Sequence, residues 1–221
     1  KGNGNRDLIF SAKSIVLKSE NGPLQTVIDC EGSSGSWHRA FMLENDDGNP
    51  LIDGFTIRNG YANHGGAIYS YLSASVFVNC LFVRNTATVS GGAIWCKRSA
   101  VKLENCTVVR NSSPTGGGLF VSASCLVELD NCIIAGSPEG AAVSVISGGY
   151  PPTLTCCLIH GNDGGDWTGD ITDQAGINGN MAADPLFCEA AFDFRLQPGS
   201  PGAPENNDCG VPIGALGVGC E

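Results

Sequence analysis

The same residue pattern recurs every 26 positions through the middle of this chain. Asparagine-cysteine pairs stand at Asn79-Cys80, Asn105-Cys106 and Asn131-Cys132. Two further sets keep the same step, namely single asparagines and paired glycines: Asn59, Asn85 and Asn111, and Gly65-Gly66, Gly91-Gly92 and Gly117-Gly118. A fixed period of this size is typical of stacked supersecondary units, none of which can bury its apolar face alone. The chain is therefore expected to fold as a solenoid.

Within one repeat the apolar residues alternate with polar ones in short runs that end at asparagine or glycine, as in Val101 to Val108. This period of two indicates strands, and no run offers a helical stripe. Copies of a strand stacked in register pair in parallel, about 4.8 Å apart. We predict an all-β fold, a right-handed parallel β-helix (solenoid) of about six to seven coils. The β-helix is expected to span residues 1–182, and residues 183–221 to form an irregular C-terminal segment of the same domain.

Stacking the repeats predicts files of residues that point inward at equivalent positions. Upstream, Asp29-Cys30 is placed level with Asp53-Gly54, and the asparagines are expected to form side-chain ladders in the turns. The predicted inward files are Gly54, Cys80, Cys106, Cys132 and Cys157; Thr56, Phe82, Val108, Ile134 and Ile159; Leu51, Phe77, Leu103, Leu129 and Leu154; and Ile68, Ile94 and Phe120.

Charge and hydropathy exclude some classes of function. The net charge of −10 argues against nucleic-acid binding, which favours a basic surface. No run of 18 apolar residues occurs, so no transmembrane segment is expected. No motif predicts a cofactor.

Eleven cysteines are many for a chain of 221 residues. We expect those of the Cys80 file to be free, buried thiols that act as small apolar fillers. Their spacing also lies within disulfide range, so bridging inside the file stays open. Cys209 and Cys220 lie in a Gly/Pro-rich tail, where we predict a disulfide. A disulfide implies an oxidising compartment, and hence an extracellular or cell-surface location.

Several motifs resemble those of known β-helix proteins. The GGAI motifs at Gly65–Ile68 and Gly91–Ile94, with FVRN at Phe82–Asn85, resemble the repeats of chlamydial polymorphic outer-membrane proteins. More broadly they resemble the right-handed β-helix proteins of the pectate-lyase-like superfamily. The GNRDLIF opening and the DPLF, RLQPGSP and IGA closing motifs are similar to those of secreted bacterial β-helix proteins. The resemblance implies the fold, but this fold hosts lyases, hydrolases, epimerases, adhesins and spacers.

In pectate-lyase-like enzymes the sugar lies along the outer face of the strand that follows the glycines. The resemblance therefore directs attention to Tyr69 and Trp95, which are expected to point outward there, and to their neighbours Tyr71, Lys97 and Arg98. Aromatic rings can stack on a sugar. The alternative is an aromatic pair packed under a loop or at a subunit contact.

Two charged patterns offer further candidate sites. Arg58, Arg84 and Arg110 form an outward file that could bind an acidic polysaccharide, or could pair with nearby carboxylates. Clustered oxygen ligands in loops suit Ca²⁺, which makes a bound Ca²⁺ possible at the acidic loops that contain Asp46, Asp47, Asp163 and Asp166. The alternative is a pair of solvated polar loops.

No pair of carboxylates is placed on the Tyr69/Trp95 face, although hydrolysis needs two and a lyase needs a base. The leading hypothesis is a secreted or cell-surface structural or adhesive protein. Its partners would be further copies of itself, or the rest of a longer chain, at the coil ends. The alternatives are a polysaccharide-active enzyme of the lyase, hydrolase or epimerase class and a non-catalytic glycan-binding module.

Overall fold

The computed structural model describes residues 5–10, 14–46, 48–189 and 191–220, apart from the side chain of Asp46. Over these ranges the backbone winds as a right-handed parallel β-helix, which confirms the predicted fold class. Each coil carries three short strands, and each strand pairs in parallel with its counterpart in the next coil. The solenoid therefore has three faces, called here the first, second and third face in chain order.

The strand bounds are as follows. The first face contains β1 (Leu8–Phe10), β4 (Phe41–Asp46), the first part of β8 (Ile68–Val78), β11 (Ile94–Lys97), β14 (Leu119–Val121) and β17 (Val143–Val145). The second face contains β2 (Val16–Lys18), β5 (Leu51–Asp53), the rest of β8, β12 (Ala100–Glu104), β15 (Leu126–Asp130) and β18 (Thr153–Thr155). The third face contains β3 (Val27–Asp29), β6 (Thr56–Arg58), β9 (Leu81–Val83), β13 (Thr107–Val109), β16 (Ile133–Ala135) and β19 (Leu158–His160).

Four strands lie outside the three faces. β7 (Tyr61–His64) and β10 (Thr86–Ser90) pair in the turn between the third and first faces. β20 (Phe187–Glu189) and β21 (Asp193–Leu196) form an antiparallel hairpin, and two 3₁₀ segments span Gly169–Gln174 and Pro204–Asn206. In the described ranges the third face stacks six strands. Five full turns separate the first of these from the last, slightly fewer than predicted.

The buried cysteine file is confirmed. Cys80, Cys106, Cys132 and Cys157 are free and fully buried, one in each of four successive coils. Each thiol lies within reach of a backbone carbonyl of the coil before it, as in the 3.4 Å contact from Cys106 Sγ to the Phe77 oxygen. Burial raises the pKa of the Cys106, Cys132 and Cys157 thiols. These side chains therefore behave as small neutral fillers of the core.

The predicted register slips by one residue upstream of β8. Ile57 pairs with Phe82 and Ile52 pairs with Phe77, so this step is 25 residues rather than 26. The inward residues there are Ile52, Phe55 and Ile57, not Leu51, Gly54 and Thr56. The reason is an irregularity in β10, where the pairing with β7 shifts between Ala87 and Ser90 and adds one residue.

Two other predicted alignments are also wrong. Asp29 pairs with Arg58, so Asp29-Cys30 lies level with the end of the third face and not with Asp53-Gly54. Downstream, Leu119 and not Phe120 pairs with Ile94 and points inward. The turn before it is one residue shorter than the preceding one, so Gly116 takes the left-handed position that Gly91 holds in the coil before.

An asparagine ladder holds the corner that follows the third face. The backbone N–H and the side-chain amide of Asn85 both donate to Asn111 Oδ1, at 2.9 and 3.0 Å. The Gly60 N–H donates to Asn85 Oδ1 in the same way, and Ser137 N–H donates to Asn162 Oδ1. These asparagines are buried, and their amides satisfy backbone groups that the turn leaves without strand partners. The predicted amide ladder is thus present at this corner.

The corner between the second and third faces is formed by a different backbone conformation. One residue per coil adopts a left-handed conformation there, with φ between 49° and 81°: Gly54, Asn79, Asn105, Asn131 and Cys156. Glycine and asparagine tolerate this conformation better than other residues. The Asn-Cys pairs of the repeat therefore combine a corner residue with the inward thiol that follows it.

The C-terminal segment packs along the outer side of the third face, and we call its described residues 187–189 and 191–216 the strap. Phe194 and Leu216 contact Val83 and Val109, while Leu196 and Ile213 contact strands of the last coils. The strap also forms hydrogen bonds to two coils that lie two turns apart. Arg84 Nη2 donates to the Ala191 carbonyl at 2.6 Å, and the Gly214 N–H donates to the Asn131 carbonyl at 2.8 Å. Strands of the third face are therefore buried on both sides.

Both disulfides involve the C-terminal segment. Cys156 bonds to Cys209 and Cys188 bonds to Cys220, across 53 and 32 residues of sequence. The predicted Cys209–Cys220 bond is therefore wrong, although both residues are disulfide-bonded. The tail packs against the solenoid rather than on itself, and this brings each cysteine to a partner that lies far away in sequence.

The two ends of the solenoid differ. Beyond the last coil, Ile171 of the Gly169–Gln174 segment is buried in the main core, Trp167 packs beside it, and the Leu154 N–H donates to Gln174 Oε1 at 2.9 Å. At the other end β1, β2 and β3 each pair on one side only within the described ranges. The core there ends in side chains that are only partly buried: Leu8, Phe10 and Leu17.

This arrangement predicts the outcome of cysteine mapping. Alkylation under denaturing, non-reducing conditions should label the seven free cysteines, and reduction first should expose four more. Peptide mass mapping should find Cys156 linked to Cys209 and Cys188 linked to Cys220. A peptide joining Cys209 to Cys220 would contradict the described packing of the strap.

Candidate functional site

The outward residues of the first face form an aromatic file. Met42, Tyr69, Trp95 and Phe120 are successive strand partners on β4, β8, β11 and β14. The rings of Tyr69 and Trp95 are stacked, with centroids 4.7 Å apart and planes 11° from parallel. The outward orientation predicted for Tyr69 and Trp95 agrees with this register. Phe120, predicted to point inward, extends this outward file instead, whereas its neighbour Val121 is buried.

Neighbouring side chains cover much of the aromatic file. Trp95 is only 8% exposed, and the His64 ring lies 5.4 Å from it. The Arg39 guanidinium lies 5.1 Å from the Tyr69 ring centroid, within cation–π range. A sugar stacks on a ring that presents an open face. Trp95 therefore lacks such a face, and only Tyr69 and Phe120 remain partly accessible.

Burial sets the electrostatics of this face. It lowers the pKa of Arg39 and raises the pKa of Tyr69, on which Glu44 acts in the same direction. Arg39 Nη1 is buried and makes no hydrogen bond with the described residues. His64 Nδ1 lies 2.7 Å from Ser90 Oγ, and burial together with Arg39 lowers the pKa of its imidazole. Arg39 lies in the turn preceding β4, outside the repeats, so the repeat pattern does not point to it, whereas His64 ends β7 directly before the paired glycines of the repeat.

The remaining predicted ligand-binding residues divide between two places. Tyr71 and Lys97 are strand partners at the end of the aromatic file, and Glu44 pairs with Tyr71 on its other side. Arg98 instead occupies the left-handed turn after β11 and lines a shallow depression with Leu72. The structure therefore brings Tyr69, Trp95, Tyr71 and Lys97 onto one face and leaves Arg98 at its corner.

The predicted Ca²⁺ ligands are placed as follows. Asp47 and the side chain of Asp46 lie outside the described residues. Asp166 is engaged within its own turn, where Oδ2 accepts from the Gly161 N–H and Oδ1 accepts from the Asn162 N–H and Nδ2. Among the described residues, no three His, Cys, Asp or Glu side chains are grouped so as to hold a metal.

A hydrogen-bonded Asp–His–Ser chain lies beside the aromatic file. His38 Nδ1 donates to Asp7 Oδ2 at 2.6 Å, and His38 Nε2 lies 2.9 Å from Ser36 Oγ. Because a carboxylate only accepts, the contact with Asp7 leaves the lone pair of Nε2 directed at the serine hydroxyl. The sequence spacing hid this chain, since Asp7 lies 31 residues before His38.

The Asp–His–Ser chain is joined to the aromatic file through Arg39. The Arg39 N–H donates to Asp7 Oδ1 at 3.0 Å, while its guanidinium lies over Tyr69. The same carboxylate thus orients His38 through one oxygen and the backbone of Arg39 through the other. Asp7 thereby links Ser36 and His38 to Arg39, whose guanidinium contacts Tyr69.

Comparison with known proteins agrees with the architecture. A family model described as the right handed beta helix region matches residues 11–159, about two thirds of the chain. The chain belongs to this family. No curated protein and no solved structure matches it significantly. The described residues contain no helix long and apolar enough to cross a membrane.

The covered His64 ring predicts a pH-dependent stability. Its folded pKa lies below the ordinary value of 6.5, so the unfolded chain takes up the proton first and the free energy of unfolding falls as pH drops below about 6.5. NMR titration of the His64 ring should show the depressed pKa, and Arg39→Gln should raise it. His64→Gln should remove this part of the pH dependence. Arg110→Gln, on another face, should leave the His64 titration unchanged; an ordinary pKa for His64 in the native chain would contradict the described burial.

Proposed function

We propose that this chain is a secreted or cell-surface structural β-helix protein that attaches to a partner through its first coil. The observation that carries the proposal is the contrast between the two coil ends. The last coil is covered by the Gly169–Gln174 segment, whereas β1, β2 and β3 have a strand partner on one side only among the described residues and border partly buried apolar side chains. Unpaired edges next to an apolar core favour pairing with another polypeptide.

The two disulfides support the extracellular part of the proposal. Such bonds persist in oxidising compartments, and here each joins parts of the chain that are far apart in sequence. They hold the strap against the solenoid, which suits a protein exposed to proteases and dilution. The remaining cysteines are buried and free, so they do not compete for these pairings.

The geometry favours a closed pair over a filament. A filament needs two complementary ends, but one end of this solenoid is already covered by its own chain. Two copies that meet through their first coils would satisfy both open ends and stop. For contacts between copies of this chain, we therefore infer a symmetric dimer rather than a filament, and the rest of a longer chain is the other partner expected at the same edge.

Light scattering of the purified chain tests this assembly. We expect a concentration-dependent mass of about twice 22.8 kDa. Leu17→Lys places a charge on the open end of the core and should give monomers, whereas Ile9→Lys alters an outward residue that is already 64% exposed and should leave the dimer intact. Circular dichroism would verify that both variants are folded. A wild-type monomer at every accessible concentration would overturn the proposal.

The Asp–His–Ser chain favours a second candidate function, hydrolysis of acyl esters. In this mechanism Ser36 Oγ attacks the acyl carbon while His38 Nε2 accepts its proton. The ester C–O bond then breaks as His38 returns that proton to the leaving alcohol, and water repeats the sequence to release the acid. The side chains of His38 and Asp7 are 23% and 48% exposed. Water weakens electrostatic stabilisation in such a setting, so the expected activity is slow.

Covalent labelling separates an activated serine from an ordinary one. A fluorophosphonate probe, followed by intact-mass and peptide analysis, should modify Ser36 in the wild-type chain. Asp7→Asn and His38→Gln should slow labelling by about a hundredfold, since general-base assistance is worth at least that much. Ser34→Ala, in the same turn, is the matched control and should label normally. Equal labelling of wild type and Ser36→Ala would exclude this candidate.

A further inference from the structure

A groove runs between the third face and the beginning of the strap. Its floor is apolar and includes Val27, Leu81 and Val83, and the strap contributes Phe192 and Phe194. The groove has a volume of about 190 Å³. Because a water molecule occupies about 30 Å³, this space suits a ligand with the bulk of roughly six waters. It lies away from the aromatic file and the Asp–His–Ser chain.

Two arginines line the same groove, and their charges are not balanced equally. Arg58 Nε donates to Asp29 Oδ2 at 2.9 Å. Burial acts to raise the pKa of Asp29, but hydrogen bonds from Asn59 and Arg58 hold it below its ordinary value. Asp29 is therefore ionised and offsets the charge of Arg58. Arg84 makes no ion pair with a described carboxylate, and its Nη2 donates only to the Ala191 carbonyl.

The arginine N–H groups that have no partner among the described residues are exposed and can bind an anion. In the described chain, the Nη groups of Arg58 and the Nε and Nη1 of Arg84 make no hydrogen bond with protein atoms, yet both side chains line one concave site. Planar guanidinium groups bind carboxylates through paired, charge-assisted hydrogen bonds. The groove thus carries an excess of one positive charge on a protein whose net charge is −10.

The apolar part of the groove indicates that the rest of the ligand, apart from its anionic group, is apolar. Phe192 is 73% exposed and Leu24 is 59% exposed, although both are large apolar side chains at the rim. Exposed apolar side chains that border a concave site mark ligand-binding positions. The Phe192 ring also lies 5.4 Å from the Arg84 guanidinium, so one ligand can contact both.

The geometry points to a binding site for a small organic carboxylate, in which Arg84, assisted by Arg58, holds the carboxylate and Phe192, Leu24 and Val83 hold an apolar ring or short branched chain. The strap forms one wall of this site. The Cys188–Cys220 disulfide joins β20, the first strand of the hairpin that carries Phe192, to the end of the C-terminal segment.

Ligand-observed NMR and calorimetry with benzoate test this site on the whole chain. Benzoate should bind saturably and more weakly as salt is raised, and benzamide, its uncharged counterpart, should not. Arg84→Gln should weaken binding at least about tenfold, the expected loss of a charge-assisted hydrogen bond. Arg110→Gln is the matched control, because Arg110 has the same left-handed conformation one coil further on but does not line the groove. It should bind benzoate normally.

Two further measurements keep the test decisive. Phe192→Ala removes an exposed ring without opening the core, so this variant should fold normally and still bind benzoate more weakly. It therefore tests the site even if Arg84→Gln misfolds. Glucuronate presents the same carboxylate on a polar ring and separates a sugar acid from an apolar acid. Tighter binding of glucuronate than of benzoate would overturn the apolar-body assignment. Absence of binding to either acid, or equal losses in Arg84→Gln and Arg110→Gln, would overturn the site itself.

Discussion

At the corner between its second and third faces each coil from Gly54 to Cys156 turns at one residue in the left-handed region, and the stacking of the faces depends on that corner. The conformation costs an L-residue about 1–2 kcal/mol, and glycine and asparagine bear it best. The repeat meets this requirement with asparagine in three successive coils. Cys156 is the exception, and there the disulfide to Cys209 holds the corner residue in place. The corners from Asn79 to Cys156 are each followed by an inward cysteine, which is small enough for the bend to close over it.

The repeat predicted the solenoid because its period reports the spacing of hydrogen-bonded coils. It failed wherever a turn changed length by one residue. Asn59 and Asn85 both follow an arginine, yet Gly60 is the residue that lies level with Asn85. The extra residue sits in β10, whose pairing with β7 shifts by one residue between Ala87 and Ser90. The sequence period is a number of residues, whereas the alignment of the coils in the fold is set by which strand residues pair.

The covered third face was also encoded in the sequence. LFV at Leu81–Val83 and IIA at Ile133–Ala135 lack the alternation expected of a strand with one solvated side, and the strap explains why. Strands buried on both faces read as continuous apolar runs. The disulfide partners could not be deduced in this way, because their pairing depends on the path of the strap over the solenoid.

The candidate sites, too, were predictable from the sequence only in part. The outward placement of Tyr69 and Trp95 followed from strand periodicity, but the covering of Trp95 by His64 did not, since it arises from a turn rather than a strand. The Asp–His–Ser chain and the arginine groove each join residues from distant parts of the sequence. Their components are ordinary polar residues in isolation, and only the winding of the chain brings them within hydrogen-bonding range.

The strap changes how the solenoid should lose its structure. In a plain repeat stack each unit contacts only its neighbours, so end coils can fray while the middle remains folded. Here one segment of chain is bonded to Arg84 near the middle, to Asn131 further on, and covalently to Cys156 in the last coil. The last coil cannot peel away without pulling this segment off the coils before it. The coils that the strap spans should therefore unfold together as one cooperative unit rather than one after another.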